Sequence, residues 1–245
     1  SSDVEQYLHY RVANARILTY PFAHFYVENI FPSDCYRHLV ATLPEQRHYK
    51  RLDETGSVAK GLFPERFVCD LEVAQRAELD RDGKTGIWNE LARVFLGPEF
   101  AHRVLSCFYD GVVQRFGRDS ELDFELDCRL FRDFSNYSIS PHTDTPKKLV
   151  SLLFYMPKDD SMEELGTSIY VPKDPSFRCE GRIHHPFDLF KRVMTAPYRP
   201  NSLLGFFKTD NAFHGVERIA REDTRRDSIL YNIYVKHVGQ RAAAS

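Results

Sequence analysis

Arg226-Asp227-Ser228-Ile229-Leu230-Tyr231-Asn232-Ile233-Tyr234-Val235 is the clearest strand in the sequence. Alternate residues of an extended chain point to opposite sides. One face therefore carries Arg226, Ser228, Leu230, Asn232 and Tyr234, and the other Asp227, Ile229, Tyr231, Ile233 and Val235. The first face is polar at its start and the second mostly apolar, so both are expected to be covered. A buried Arg-Ser pair at one end of such a strand calls for an anion, because an unpaired buried charge is costly. A guanidinium meets a carboxylate through two parallel N–H groups, and a serine hydroxyl adds a further donor. A structural ion pair with Asp227 or Glu222 is the simpler alternative for this arginine.

Upstream, Asn136-Tyr137-Ser138-Ile139-Ser140-Pro141-His142-Thr143-Asp144 is rich in residues that suit an extended segment. At strand spacing His142 and Asp144 face the same side and can chelate one ion; a helix would need i and i+4 instead. His214 follows the apolar segment Leu203-Leu204-Gly205-Phe206-Phe207, which reads as a buried strand. Two imidazoles and one carboxylate on one side of a metal leave positions free for other ligands. This donor set favours non-haem Fe(II) over a closed structural zinc site, and no cysteine lies near His142 or Asp144. Taken alone, a His-x-Asp tripeptide is more simply a solvated loop histidine beside a turn carboxylate; the downstream residues change that weighting.

Together these residues resemble the 2-oxoglutarate- and Fe(II)-dependent dioxygenases of the prolyl-4-hydroxylase-like branch. The matching pattern is His142-x-Asp144, His214, then Arg226-x-Ser228. Pro146, the strand Leu149 to Met156, Gly166-Thr167-Ser168-Ile169-Tyr170 and Pro200-Asn201-Ser202-Leu203-Leu204-Gly205-Phe206 are similar to further stretches of that branch. The resemblance covers roughly residues 120–238. It implies that His142, Asp144 and His214 hold Fe(II), and that Arg226 and Ser228 bind the distal carboxylate of 2-oxoglutarate with Tyr155. A core tyrosine with a satisfied hydroxyl is an equal alternative for Tyr155, and the adjacent Arg225 is a second candidate for the anchor. The resemblance further implies oxidative decarboxylation of 2-oxoglutarate with O2, giving succinate and CO2 while a substrate C–H bond is hydroxylated. Halogenases of the family replace the carboxylate ligand, so Asp144 makes hydroxylation the expected outcome.

The chain of 245 residues, 42% hydrophobic and 13% aromatic, is long enough for one well-filled domain. Ile17 to Val27 reads as one or two strands, and Ser33 or Asp34 is expected to cap a helix running to about Leu43. Residues 46–67 read as a loop and a candidate lid. A helix is expected near Thr85, where Ile87, Leu91, Val94 and Phe95 recur at helical spacing, and another over Glu99 to Phe116. From Leu122 onward short strands alternate with turns. The expected fold is mainly β: a double-stranded β-helix (a distorted jelly roll) with N-terminal α-helices packed on one sheet. Residues 1–120 form a helical and β cap in this reading, and 121–238 the jelly-roll core, with an insertion near 172–197.

A formal net charge of −2 gives no global electrostatic case for nucleic acid or a membrane surface. Cys35, Cys69, Cys107, Cys128 and Cys179 are scattered and odd in number, which points to reduced thiols and a cytoplasmic location. No signal-like segment opens the chain and no apolar run reaches spanning length. The terminal Ser-Ser and Ala-Ala-Ala-Ser are set aside.

Substrate cues are thinner. Arg129 and Arg132 lead towards the His-x-Asp turn, Lys147 and Lys148 follow it, and His184-His185 fall in the inserted block. Arg132, Lys147 and Lys148 are candidate contacts for an anionic group on a small-molecule, sugar or peptidyl substrate, against the simpler reading of a solvated charged rim. Two other classes remain open: a jelly-roll binding protein without chemistry, and a cupin-like metal-dependent isomerase.

Overall fold

The computed structural model describes residues 2–240; Ser1 and residues 241–245, and with them most of the terminal stretches set aside above, lie outside that range. Helix α1 (Asp3–Ala13) and strand β1 (His24–Glu28) lead to α2 (Ser33–Ala41), β2 (Lys50–Arg51), β3 (Arg66–Asp70) and α3 (Leu71–Asp82). Helices α4 (Ile87–Phe95), α5 (Pro98–Cys107) and α6 (Tyr109–Phe116) precede the long strand β4 (Ser120–Phe134). Then come β5 (Ile139–His142), β6 (Lys148–Tyr155), β7 (Ser168–Pro172), β8 (Phe190–Thr195), β9 (Ser202–Phe207), β10 (His214–Val216) and β11 (Arg225–Gln240). The strands form two antiparallel sheets: a seven-stranded one in the order β1-β9-β6-β11-β4-β3-β2, and a four-stranded one in the order β5-β10-β7-β8.

The final strand sorts its residues as its alternation predicts. Ile229, Tyr231 and Ile233 enter the main core with Trp88, Leu91, Phe95 and Phe100 of α4 and α5. Phe95 packs its ring 5.0 Å from Phe154 and 5.4 Å from Tyr231, so the helices and the large sheet share one aromatic layer. Fully burying each such side chain contributes about 1.5–3 kcal/mol. Arg226, Ser228 and Asn232 are also buried, but on the opposite face, towards the four-stranded sheet. A second cluster, including Tyr155, Leu165, Ile169, Leu204, Phe206 and Val216, fills the space between the sheets.

Several expectations are corrected. Residues 46–67 are not one loop: they contain β2 and the start of β3, a five-residue strand whose alternation is short and begins on an arginine. Helix α2 starts after Pro32, which makes no side-chain cap bond, and Ser33 is its first residue. The helix expected over Glu99 to Phe116 is two, interrupted at Phe108. Helices α1 and α3, which no strong apolar stripe announces, are also present. From the N-terminal part, β1, β2 and β3 join the large sheet. The segment near 172–197 likewise supplies β8, the edge of the small sheet, whose exposed Lys191, Arg192 and Val193 hide its strand pattern. No helix among the described residues is long and apolar enough to cross a membrane.

Candidate metal centre

His142 ends β5 and His214 begins β10, and the two are direct partners across the ladder. Asp144 lies two residues beyond His142, on the same side of the extended chain. One ligand atom from each of the three lies within 4.8 Å of the others, the one such grouping found among the described residues. The imidazole centroids are 4.4 Å apart, and His214 Nε2 is 3.8 Å from Asp144 Oδ1. His142 Nδ1 sits 2.9 Å from the Ser140 carbonyl and His214 Nδ1 3.0 Å from that of Ala212. A carbonyl can only accept, so each Nδ1 carries the proton and each Nε2 presents its lone pair. Asp144 is held in turn: Ser151 Oγ donates to Oδ2 at 2.8 Å, and the Lys148 ammonium lies 3.2 Å from Oδ1.

Burial pushes both imidazoles below the ordinary histidine value, His142 furthest, where the neighbouring His214 adds to the effect. Both are therefore neutral ligands at pH 7. Burial acts to raise the Asp144 carboxyl, but the Lys148 ammonium, with the Ser151 hydroxyl assisting, outweighs it and holds the group ionised, well below the usual carboxylate range. Two neutral nitrogens and one carboxylate oxygen on one side, open on the other, fit Fe(II) with vacant positions and do not make a closed four-ligand zinc site.

The three donors open into a cavity of about 180 Å³ that also reaches Lys148, Ser151, Thr167, Tyr137, Arg66 and Arg226. Arg226 has no solvent exposure. Its Nη1 donates to Asp133 Oδ2 at 2.7 Å, its Nε to the Leu165 carbonyl at 2.7 Å, and Nη2 lies 3.4 Å from Thr167 Oγ1. The structural ion pair considered in the sequence thus exists, with Asp133 in place of Asp227 or Glu222. Tyr155 supports this end of the cavity without lining it: Thr167 N–H donates to its hydroxyl at 3.0 Å, and its ring centroid is 5.6 Å from the Arg226 guanidinium. Ser228 is buried on the Arg226 face and pairs with Tyr155 across the ladder. Arg225 points to the other face and binds Asp227 Oδ2 at 2.6 Å, so it is not at the cavity.

Of the three candidate substrate cations, only Lys148 reaches the cavity. Arg132 is a correction: it is buried behind the large sheet, paired with Asp227 at 2.6 Å and stacked 4.1 Å over Tyr49. Lys147 is exposed to solvent. Strand parity explains Arg132, which alternates out of phase with Asp133 in β4, whereas Lys147 lies in the turn that precedes β6.

The sequence reading missed Arg66, Asp133 and Tyr137. Asp133 receives Arg66 Nε at 2.7 Å and Nη2 at 3.0 Å besides Arg226, so one carboxylate bridges two guanidinium groups. The alternation of β3 was the available signal for Arg66. Two loops also meet beside the metal ligands. Phe63 packs edge-on against His184 at 5.5 Å, and His184 lies 4.6 Å from the His142 ring. The inserted segment is tied to the His-x-Asp turn, with Thr143 Oγ1 donating to the Cys179 carbonyl at 2.8 Å and His185 N to that of Pro141 at 2.9 Å.

No family model and no curated protein matches this sequence. Solved structures do match. A Pseudomonas putida prolyl-4-hydroxylase is similar over 94% of this chain and 100% of its own, at 11% identity and a TM-score of 0.52. The non-haem alpha-ketoglutarate-dependent epimerase SnoN of nogalamycin biosynthesis is similar over 98% and 84%, at 12% identity and a TM-score of 0.50. A Trichoplax adhaerens prolyl hydroxylase, solved with a hypoxia inducible factor peptide, is similar over 94% and 90%, at 13% identity and a TM-score of 0.50. In its fold, the chain stands with the prolyl-4-hydroxylase-like structures.

Proposed function

We propose that this protein is an Fe(II)- and 2-oxoglutarate-dependent oxygenase that hydroxylates an aliphatic C–H bond of a polar small-molecule, sugar or peptidyl substrate. The observation that carries this reading is the joining, in one cavity, of an open two-histidine, one-carboxylate group with a fully buried arginine. The two sheets are read as the halves of a double-stranded β-helix, with the helices behind the larger one. Iron(II) with 2-oxoglutarate and O2 supplies the oxidation: the oxo acid leaves as succinate and CO2, and one oxygen atom enters the substrate C–H bond.

The chain's own part is binding, orientation and exclusion of water. His142 and His214 would hold the metal through Nε2 and Asp144 through a carboxylate oxygen, with Ser151 and Lys148 fixing that carboxylate. At the closed end Arg226 gives Nε–H to Leu165, one Nη1–H to Asp133 and one Nη2–H to Thr167, which leaves a second N–H on each terminal nitrogen, and the proton of the Thr167 hydroxyl, for the distal carboxylate. Because the Tyr155 hydroxyl accepts from Thr167 N–H, its own proton is free to be donated. Phe206, 4.4 Å from the His214 ring, keeps that side of the centre apolar. Lys148 is the candidate contact for an anionic substrate.

The test is anaerobic addition of Fe(II) and 2-oxoglutarate, which is expected to give a weak visible charge-transfer band. His142→Ala should abolish the band, and its persistence refutes the ligand assignment. Arg226→Ala should weaken 2-oxoglutarate binding while iron is retained. In air the wild type should release succinate slowly, an outcome that separates an oxygenase from a binding protein or a metal-dependent isomerase.

A further inference from the structure

We propose that Arg66 and Tyr137 form a second carboxylate-binding subsite in the metal cavity, beside Arg226; this rests on the oxygenase reading above. Asp133 uses only the Nε–H and one Nη2–H of Arg66, at 2.7 and 3.0 Å. The opposite Nη1/Nη2 edge, two N–H groups side by side, has no hydrogen bond to the described residues, and Arg66 lines the cavity. The plane of the group is fixed by rings on Tyr137 and Phe131, whose centroids lie 4.4 and 4.7 Å from its central carbon. Tyr137 is independent evidence for a ligand. It lines the same cavity with no solvent exposure, and its hydroxyl finds no hydrogen-bond partner. A buried hydroxyl without a partner is costly, and native proteins rarely keep one without use.

The charge agrees. Two guanidinium groups share the single carboxylate of Asp133, so this end of the cavity keeps one positive charge that its carboxylate does not neutralise. A planar fork and a hydroxyl donor lining one cavity match a carboxylate, which accepts two parallel N–H bonds and a third bond from O–H. The carboxylate comes from one of two sources: the distal end of 2-oxoglutarate, shared with Arg226, or an acid group on the primary substrate.

The test uses the Fe(II)-loaded protein without oxygen and three probes: 2-oxoglutarate; pyruvate, which keeps the oxo acid but lacks the distal carboxylate; and glutarate added after saturation with 2-oxoglutarate. Tyr137→Phe removes a hydroxyl that no protein group uses, so its melting temperature should equal or exceed that of the wild type. If the subsite takes the distal carboxylate, Tyr137→Phe binds 2-oxoglutarate about tenfold more weakly and pyruvate as before. If it takes an acid group of the primary substrate, 2-oxoglutarate binding is unchanged, and a rise in melting temperature caused by glutarate in the wild type is lost. Arg66→Lys keeps the charge without the fork and should repeat the loss in the same arm. The subsite is overturned if both variants bind all three probes like the wild type, or if Tyr137→Phe melts earlier with probe binding intact. A wild type that gives no visible band refutes the oxygenase reading instead, and glutarate then still judges the subsite by melting temperature without metal.

Discussion

Asp133→Asn tests the charge arrangement at the closed end of the cavity. The carboxylate is fully buried and accepts three hydrogen bonds from two cations, at 2.7, 3.0 and 2.7 Å. An amide keeps the shape but loses the charge, and it points an N–H group at a guanidinium. Breaking a buried pair from one side costs about 3–5 kcal/mol, because an uncompensated charge stays behind. Two cations are affected, yet the loss should not double: Arg66 keeps some solvent contact, at 13% exposure, and Arg226 keeps the Leu165 carbonyl. At about 2–4 °C per kcal/mol for a chain of this length, the melting temperature should fall by roughly 6–20 °C. The positive charge left facing the cavity rises at the same time, so 2-oxoglutarate should stabilise the variant more than the wild type. For scale, ligand at one hundred times its Kd contributes about 2.7 kcal/mol by mass action. Scanning calorimetry and urea unfolding, each with and without 2-oxoglutarate, measure both quantities. A loss below about 1 kcal/mol would show that Asp133 is not the counter-ion of a buried cation pair. A larger ligand effect in the wild type would show that this end of the cavity does not receive a carboxylate.

Other expectations follow from single contacts. Gly181 has a φ of +125°, and a Cβ there would lie 2.2 Å from the Asp144 carbonyl oxygen, so Gly181→Ala must displace either the inserted segment or the His-x-Asp turn. Metal affinity, measured by competition with a chromophoric chelator, should drop about tenfold or more, and an unchanged value would mean that the turn does not depend on this contact. Phe95→Ala opens a hole among Phe100, Phe154 and Tyr231 and should cost about 3–5 kcal/mol in urea unfolding. The Asp53 carboxyl is held below its ordinary value chiefly by the Gly61 N–H, with Arg51 assisting against a smaller opposing effect of burial. A carboxyl lowered on folding contributes stability above its unfolded value of about 3.9 and loses it as pH falls through the folded value. The Gly61 amide should therefore keep its hydrogen-exchange protection through the ordinary carboxyl value of about 3.9 and lose it only as pH falls through the lower folded value, and Asp53→Asn should remove that pH step.

Legibility of the fold followed the strength of each local signal. The final strand was readable because its two faces differ in kind, and α4 because Ile87, Leu91, Val94 and Phe95 repeat at helical spacing and all become buried. Helix α3 has no comparable stripe: Leu71, Ala74 and Glu78 are its buried positions, and Glu78 is there to accept the amides of Gly86 and Trp88. Strand β2 is two charged residues long, and β8 lies on an edge with three successive side chains exposed. In each of these the tertiary partner decides the conformation, and the local sequence does not name it.

The site was legible for a different reason, and it failed to be legible in a way that follows from strand parity. His142 and His214 sit at the ends of two paired strands and Asp144 two residues past the first, so a linear reading brings them together. The anion for Arg226 is coded by register: Arg226 faces Asp133 across the β11–β4 ladder, and the next rung pairs Asp227 with Arg132. Two successive Arg–Asp rungs therefore point in opposite directions, one pair into the cavity and the other behind the sheet against Tyr49. Reading β11 alone could not separate these pairs, because Arg225, Arg226, Asp227 and Glu222 all lie within a few residues of one another. A slip of β11 by one residue would turn Arg226 out of the cavity and present Asp227, an anion, where a carboxylate is expected to bind. The long pairing of Arg225–Gln240 with Ser120–Phe134, anchored by Ile229, Tyr231 and Ile233 in the core, is thus what gives the cavity a cationic end.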